Sequence, residues 1–199
     1  MINILHPKFL TCIAAFIFVA FTGCATTGTA KYYTLNSIST LQESQPEHNL
    51  SIEVGPVEIP DYLDRPHLVT RTSKNELRIS DFHKWAGSLK DDISRVMVEN
   101  LSARLSSNNV YIYPWAQSVS YRVKVKVNRF EGALGEQVVL KAYWSIYGEN
   151  GKQLLARDSS GFYEETGNGG YNDTVAAMSR AIEKLSREIA DAIRSLSGM

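Results

Sequence analysis

From position 121 the chain reads Tyr-Arg-Val-Lys-Val-Lys-Val-Asn, with Tyr121, Val123, Val125 and Val127 separated by Arg122, Lys124, Lys126 and Asn128. Successive side chains on a strand point to opposite faces, so as a strand this segment has one apolar and one basic face, whereas a helix would mix the two. Residues 138–147 form a second long apolar-rich run, and Gly148-Glu149-Asn150-Gly151 supplies an Asn-Gly turn into a third, residues 152–164. Three strands joined in this way make an antiparallel meander. Its apolar face demands a covering layer.

Two helices are available to cover it. Leu89, Ile93, Val96, Met97, Leu101 and Leu105 recur in steps of three and four behind Ser88, which forms a weakened capping box with Asp91. Residues 172–196 carry Val175, Met178, Ile182, Leu185, Ile189, Ala192 and Leu196 on one stripe. The spacing is close to a heptad, and over so few repeats it predicts a helix lying on a sheet in preference to a coiled coil. Ahead of the first helix, residues 50–54 alternate as a strand that Gly55-Pro56 interrupts, and residues 57–65 read as a loop bounded by prolines. Residues 68–72 and 76–80 read as a hairpin about Ser73-Lys74-Asn75, residues 110–113 as a short strand stopped by Pro114, and residues 167–170 as a mobile glycine-rich link. The predicted fold is α/β of the α+β kind, with a mixed, largely antiparallel sheet covered mainly by two helices.

The N-terminus has to be judged apart. Of 21 basic and 21 acidic residues in 199, the first 23 positions hold one Lys and no acid, together with four of the seven Phe. Lys8 precedes thirteen uncharged residues, 9–21, which is short for a bilayer core that takes roughly 20 helical residues, and the layout is that of a secretory leader. The small pair Thr22-Gly23 precedes Cys24, so the segment resembles a bacterial lipoprotein signal, with Cys24 the site of N-acyl and S-diacylglycerol attachment; Phe21 departs from the Leu usual before such a cysteine. The alternative, an uncleaved anchor extended back through Ile2, has to bury Pro7 and Lys8. The expected organisation is a leader at 1–23, a lipidated tether with one short strand at 24–49, and a single periplasmic domain at 50–199. Cys12 leaves with the leader and Cys24 is consumed by lipid, so the mature domain has no thiol for a disulfide or metal site. Ala25 stands where an Asp would resemble an inner-membrane retention signal, which points to the inner leaflet of the outer membrane.

A formal charge of zero offers no basic field for nucleic acid. His48, His67 and His83 are scattered, with no metal-ligand spacing, and there is neither a Gly-x-Ser-x-Gly nor a Gly-Lys-Ser/Thr phosphate cradle, so no catalytic residue, metal or cofactor is predicted. Asp61, Asp64, Arg65 and His67 read either as an acid-base cluster or, more simply, as a loop pinned by an Arg-carboxylate pair. The basic strand face of Arg122, Lys124 and Lys126, joined across the sheet by Lys141, is either a surface for anionic headgroups, peptidoglycan or an acidic partner, or a solvated outer face. Trp85, Trp115 and Trp144 read as core or interface anchors.

Several short runs lie in one order along the chain. They are Tyr32-Tyr33-x-Leu35, Val54-Gly55-Pro56-Val57-x-Ile59-Pro60-x-Tyr62-Leu63-Asp64-Arg65-Pro66, Arg71, His83-Lys84-Trp85-Ala86-x-x-Leu89 and Tyr113-Pro114-Trp115. Together they resemble the PqiC (YmbA) family of lipoproteins, auxiliary subunits of ABC-type and MCE-type lipid transport systems. Lys84 departs from an expected Arg and lacks its bidentate fork. The resemblance implies a non-catalytic, lipid-anchored domain similar in fold to the N-terminal domain of TolB. It would dock on the outer-membrane end of an MCE-protein conduit, as a homo-oligomeric ring. Candidate interface residues are Pro60, Tyr62, Leu63, Arg65, Pro66, Arg71, Trp85 and Trp115, although the proline-bounded loop equally suits a rigid structural corner. A rival is a lipoprotein activator of a peptidoglycan synthase, which needs a long tether; residues 25–49 reach roughly 90 Å only when fully extended. A lipid-metabolising enzyme is disfavoured by the absence of a nucleophile-base pair.

Overall fold

The computed structural model describes residues 28–38, 50–148 and 151–198. The leader, Cys24, His48 and the Glu149-Asn150 part of the predicted turn lie outside them. Ten elements follow in order: β1 Lys31–Tyr33, β2 Ile52–Glu58, β3 His67–Ser73, β4 Glu76–Trp85, α1 Leu89–Leu105, β5 Val110–Ile112, β6 Tyr121–Gly132, β7 Gln137–Gly148, β8 Gln153–Glu165 and α2 Tyr171–Ser197.

The predicted meander is present as β6-β7-β8, antiparallel throughout, and β2 and β5 extend it in parallel to give a five-stranded sheet of order β5-β2-β6-β7-β8. Val123, Val125 and Val127 are buried on one face with Leu140, Ala142, Trp144 and Ile146 of β7, and both helices lie on that face. Ser88 caps α1, its Oγ accepting from the Asp91 backbone N–H, as the capping box predicts. The two-helix cover of a mixed sheet therefore stands as expected. A second sheet of three strands, β1-β4-β3, joins it.

Four local features differ from the expectation, each for a physical reason. β2 runs straight through Gly55-Pro56, because a register shift between Val54 and Val57 provides a bulge where a proline without an N–H is tolerated. Gly55 has φ of 127°, and a Cβ there would lie 2.8 Å from that of Tyr113, so only glycine fits. β4 continues past Ser80 to Trp85 because β1 pairs with it in parallel at residues 83–85, a partner some fifty positions away with no local turn to announce it. The chain also joins the folded body well before residue 50. Leu35 is fully buried, its N–H donates to Asp92 (2.6 Å), its carbonyl accepts from Arg95 (2.6 Å), and Asn36 N–H donates to Ser179, so residues 34–36 strap across both helices. Finally, the link at 167–170 includes Gly169, whose backbone lies against that of Gly135, a Cβ there falling 2.7 Å from the Gly135 Cα.

A second register shift, between Val127 and Arg129, decides how the two sheets meet. One extra residue exchanges the faces of a strand. Beyond it Phe130, opposite Leu140, turns to the helix side and is fully buried, while Arg129 and Glu131, opposite Lys141 and Val139, turn to the other side. There β3 packs against β6, so the small sheet covers one end of a face that is otherwise open.

Candidate docking surfaces

The loop after β2 is a tight turn before it is anything else. Leu63 N–H donates to the Pro60 carbonyl (2.9 Å), Arg65 N–H to that of Leu63 (2.8 Å), and Trp85 N–H to that of Pro66 (2.7 Å). Leu63 and Trp85 are both core residues. Tyr62 and Arg71 converge on Glu131, a carboxylate with no exposed surface. Tyr62 donates its hydroxyl to Oε2 (2.8 Å), Arg71 donates from Nε (2.9 Å) and Nη2 (2.8 Å) to Oε1, and Arg129 Nε donates to the same oxygen (2.9 Å). Burial, then the bond to Glu131, pushes the Tyr62 hydroxyl well above its ordinary value, so it remains a donor. Two arginines and a phenol thus satisfy one buried charge and tie the small sheet to the large one. Asp64 pairs with Lys90 of α1 (2.7 Å), so the predicted pinning of the loop is made by a lysine of the neighbouring helix and not by Arg65. Pro66 is exposed, and Pro60 and Arg65 are partly so, leaving these three as the outward edge of the corner.

Trp115 lies elsewhere, beyond β5 and beside the opposite end of β2. It stacks on Tyr111 with ring centroids 4.1 Å apart and planes within 3°, and its backbone N–H donates to Oε1 of Glu53 (2.7 Å). Glu53 is buried and paired through Oε2 with Arg122, whose guanidinium lies over Tyr113. Trp115 and Tyr113 remain 40 and 41% exposed, which makes an aromatic ledge on an ion-paired floor. Sequence reasoning named Trp115 alone. The Tyr113-Pro114-Trp115 run carried the signal, but the Glu53–Arg122 support depends on the β2–β6 register.

That register also disposes of much of the basic face. Glu53 is opposite Arg122 and Glu58 opposite Lys126, with Lys126 Nζ 3.8 Å from Glu58, and Lys124 sits over the Tyr147 ring at 4.6 Å. The uncovered part of the sheet continues through Tyr143, 55% exposed, into an open depression of about 430 Å³ lined by Ser145, Arg157 and Ser159. Trp144, the third tryptophan, is in the core and donates its Nε1–H to Ser160 (3.0 Å) and Glu188 (3.2 Å). Among the described residues no group of three His, Cys, Asp or Glu is placed to hold a metal ion, and no helix is long and apolar enough to cross a membrane.

The chain is 28% identical to the intermembrane transport lipoprotein PqiC of Escherichia coli (strain K12) over 191 residues, 95% of this chain and 98% of that protein; a PqiC from Shigella flexneri matches equally. Among solved structures, an uncharacterized protein superposes with a TM-score of 0.68 at 24% identity, covering 83% of this chain and 99% of that one. Protein XCC0632 from Xanthomonas campestris superposes with a TM-score of 0.67 at 16% identity, over 81% and 93%. Both share the fold. The family model described as ABC-type transport auxiliary lipoprotein component matches residues 33–190, a span from β1 into the last third of α2. The chain belongs to the ABC-type transport auxiliary lipoprotein component family, a family of transport accessories and not of enzymes.

Proposed function

We propose that this protein is the outer-membrane lipoprotein subunit of an MCE-type intermembrane lipid transport system. It is anchored by acyl chains on Cys24 in the inner leaflet and docks the end of a periplasmic conduit, as a homo-oligomeric ring, without catalysis. Beside the family membership, one observation carries this reading over a peptidoglycan-synthase activator: the leash is short. Gly28 already packs on Phe82, β1 starts at Lys31, and residues 34–36 are strapped to both helices, so the folded body begins four positions after the cysteine. That is a reach of about 14 Å at roughly 3.5 Å per residue, which keeps the domain at the membrane. Two or three acyl chains, at about 0.8 kcal/mol per buried methylene, hold such a body stably.

For the conduit we assign the ledge of Tyr113 and Trp115 as the contact, since Trp and Tyr next to a held Arg are the side chains that dominate binding energy at protein interfaces. The corner formed by Pro60, Arg65 and Pro66 and the face bearing Lys124 and Lys126 are secondary surfaces for the same partner or for neighbouring copies. Affinity purification of the tagged protein from detergent-solubilised envelopes tests the reading. An MCE-domain protein should co-purify, and Cys24→Ala should lose both palmitate labelling and outer-membrane fractionation. Recovery of a penicillin-binding protein with no MCE partner would overturn it.

A further inference from the structure

The small sheet has a face that nothing so far explains. Tyr32 is 65% exposed and Phe82 46%. Tyr32 is paired in register with Lys84, and Phe82 precedes Lys84 by two residues on β4, so the two aromatics and the lysine share one side of the β1–β4 ribbon. The residues that alternate with them, Tyr33 and Trp85, pack on the core. Lys31, in register with His83, falls on the opposite side with Tyr33. The first described residue, Gly28, lies directly on this patch: a Cβ there would sit 2.9 Å from the Phe82 ring. Of the exposed large apolar side chains, those at 112–115 and 143–163 belong to the other sheet, whereas Tyr32 and Phe82 stand where the chain enters from Cys24, four residues before Gly28.

We infer that the outer side of the β1–β4 ribbon, with Tyr32 and Phe82 at its centre and Lys84 beside them, rests in the phospholipid headgroup layer of the leaflet that holds Cys24. This rests on the reading that Cys24 is acylated. The chemistry matches the location. Aromatic rings settle at the headgroup level, and lysines there lay their methylenes along apolar surface and send the ammonium to phosphate. A leash of about 14 Å leaves the side of the body from which it emerges little freedom to turn away. The contact fixes the orientation of the domain, with the ribbon on the membrane and the large sheet standing off it. A lipid tether alone would leave the body free to tumble.

The acylated protein has no free thiol, because Cys12 is removed and Cys24 is a thioether, so a single introduced cysteine can be labelled. Tyr32→Cys, Phe82→Cys and, on the open face of the large sheet, Tyr143→Cys are purified as full lipoproteins, labelled with an environment-sensitive fluorophore and reconstituted into phosphatidylethanolamine–phosphatidylglycerol vesicles containing shallow doxyl-lipid quenchers. Both side chains of the ribbon are exposed, so the substitutions leave the core intact. Labels at 32 and 82 should be blue-shifted and quenched at least about twofold more than the label at 143. Vesicle-bound protein with equal quenching at all three positions, or none, overturns the inference and leaves the anchor intact. Blue-shifted labels at 32 and 82 without lipid quenching mean that another protein copy covers the ribbon, and also overturn it. Failure of the wild-type lipoprotein to float with vesicles overturns the anchor reading itself and the inference with it.

Discussion

At the scale of single residues, Glu131 organises more of the polar structure than any motif in the sequence suggested. Removing one of two cations from a fully buried carboxylate leaves charge uncompensated, so Arg71→Met should cost on the order of 3 kcal/mol, read as a lowered denaturant midpoint at unchanged slope. Tyr62→Phe should cost less, about 1–2 kcal/mol, the loss of one donor to a charge. Its pH signature is distinctive. The Tyr62 hydroxyl titrates higher in the folded chain than its ordinary 10.0, so its contribution is complete below about pH 10 and is lost as pH climbs above that value. Wild type should therefore lose stability in base more steeply than Tyr62→Phe, measured by urea midpoints at successive pH values. Tyr62 and Arg71 were visible in the sequence as members of recurring runs, but Glu131 was not. Its burial depends on a bulge at residue 128 that exchanges faces, and nothing in the composition of β6 marks that slip.

Among the elements, α2 records how far a periodic pattern can be trusted. Val175, Met178, Ile182, Leu185 and Ile189 are buried as the stripe predicts, but in the last turns Ile193 is buried in place of Ala192, and Leu196 is 38% exposed. A straight helix drifts about 20° per heptad from a 3.5-residue repeat, so the seam has rotated by the last turns. Ile193→Ala should accordingly cost about 2–5 kcal/mol and Leu196→Ala less than about 1, compared by thermal or chemical denaturation. β1 is legible in the sequence as a short strand but not in its pairing, since three residues carry no periodicity, and its docking runs through His83. That ring stacks on Tyr171 of α2 (centroids 3.7 Å apart), bonds the Tyr33 hydroxyl through Nδ1 (2.7 Å), and has its pKa lowered by burial and by Lys31. A depressed histidine pKa contributes stability above the ordinary 6.5 that is lost as pH falls through the folded value. Amide exchange of Tyr33 and Leu35 should therefore accelerate, relative to that of β7, as pH drops below about 6.5, after correction for intrinsic exchange rates.

For the whole molecule, the alternation at 121–128 and the two amphipathic helices were enough to specify the β6-β7-β8 meander and its cover. The second sheet escaped because its defining pairing, β1 with β4, is parallel and long-range. The consequence for function is the length of the leash: what the sequence offered as a tether of up to 25 residues includes folded structure at 28–38, which under the proposed acylation of Cys24 brings the body to the membrane, with the aromatic ledge at Trp115 on the other sheet. The interface residues predicted from the sequence divide accordingly. Leu63, Tyr62, Arg71 and Trp85 hold the fold together, and Trp115 is available to a partner. Photo-crosslinking from position 115 in intact cells tests the account most directly, with p-benzoylphenylalanine replacing Trp115 so that an aromatic group remains over Tyr111. An ultraviolet-dependent adduct to an MCE-domain protein is expected, absent when the label stands at the core position Trp144. Adducts confined to a penicillin-binding protein, or none to any transport component, would contradict it.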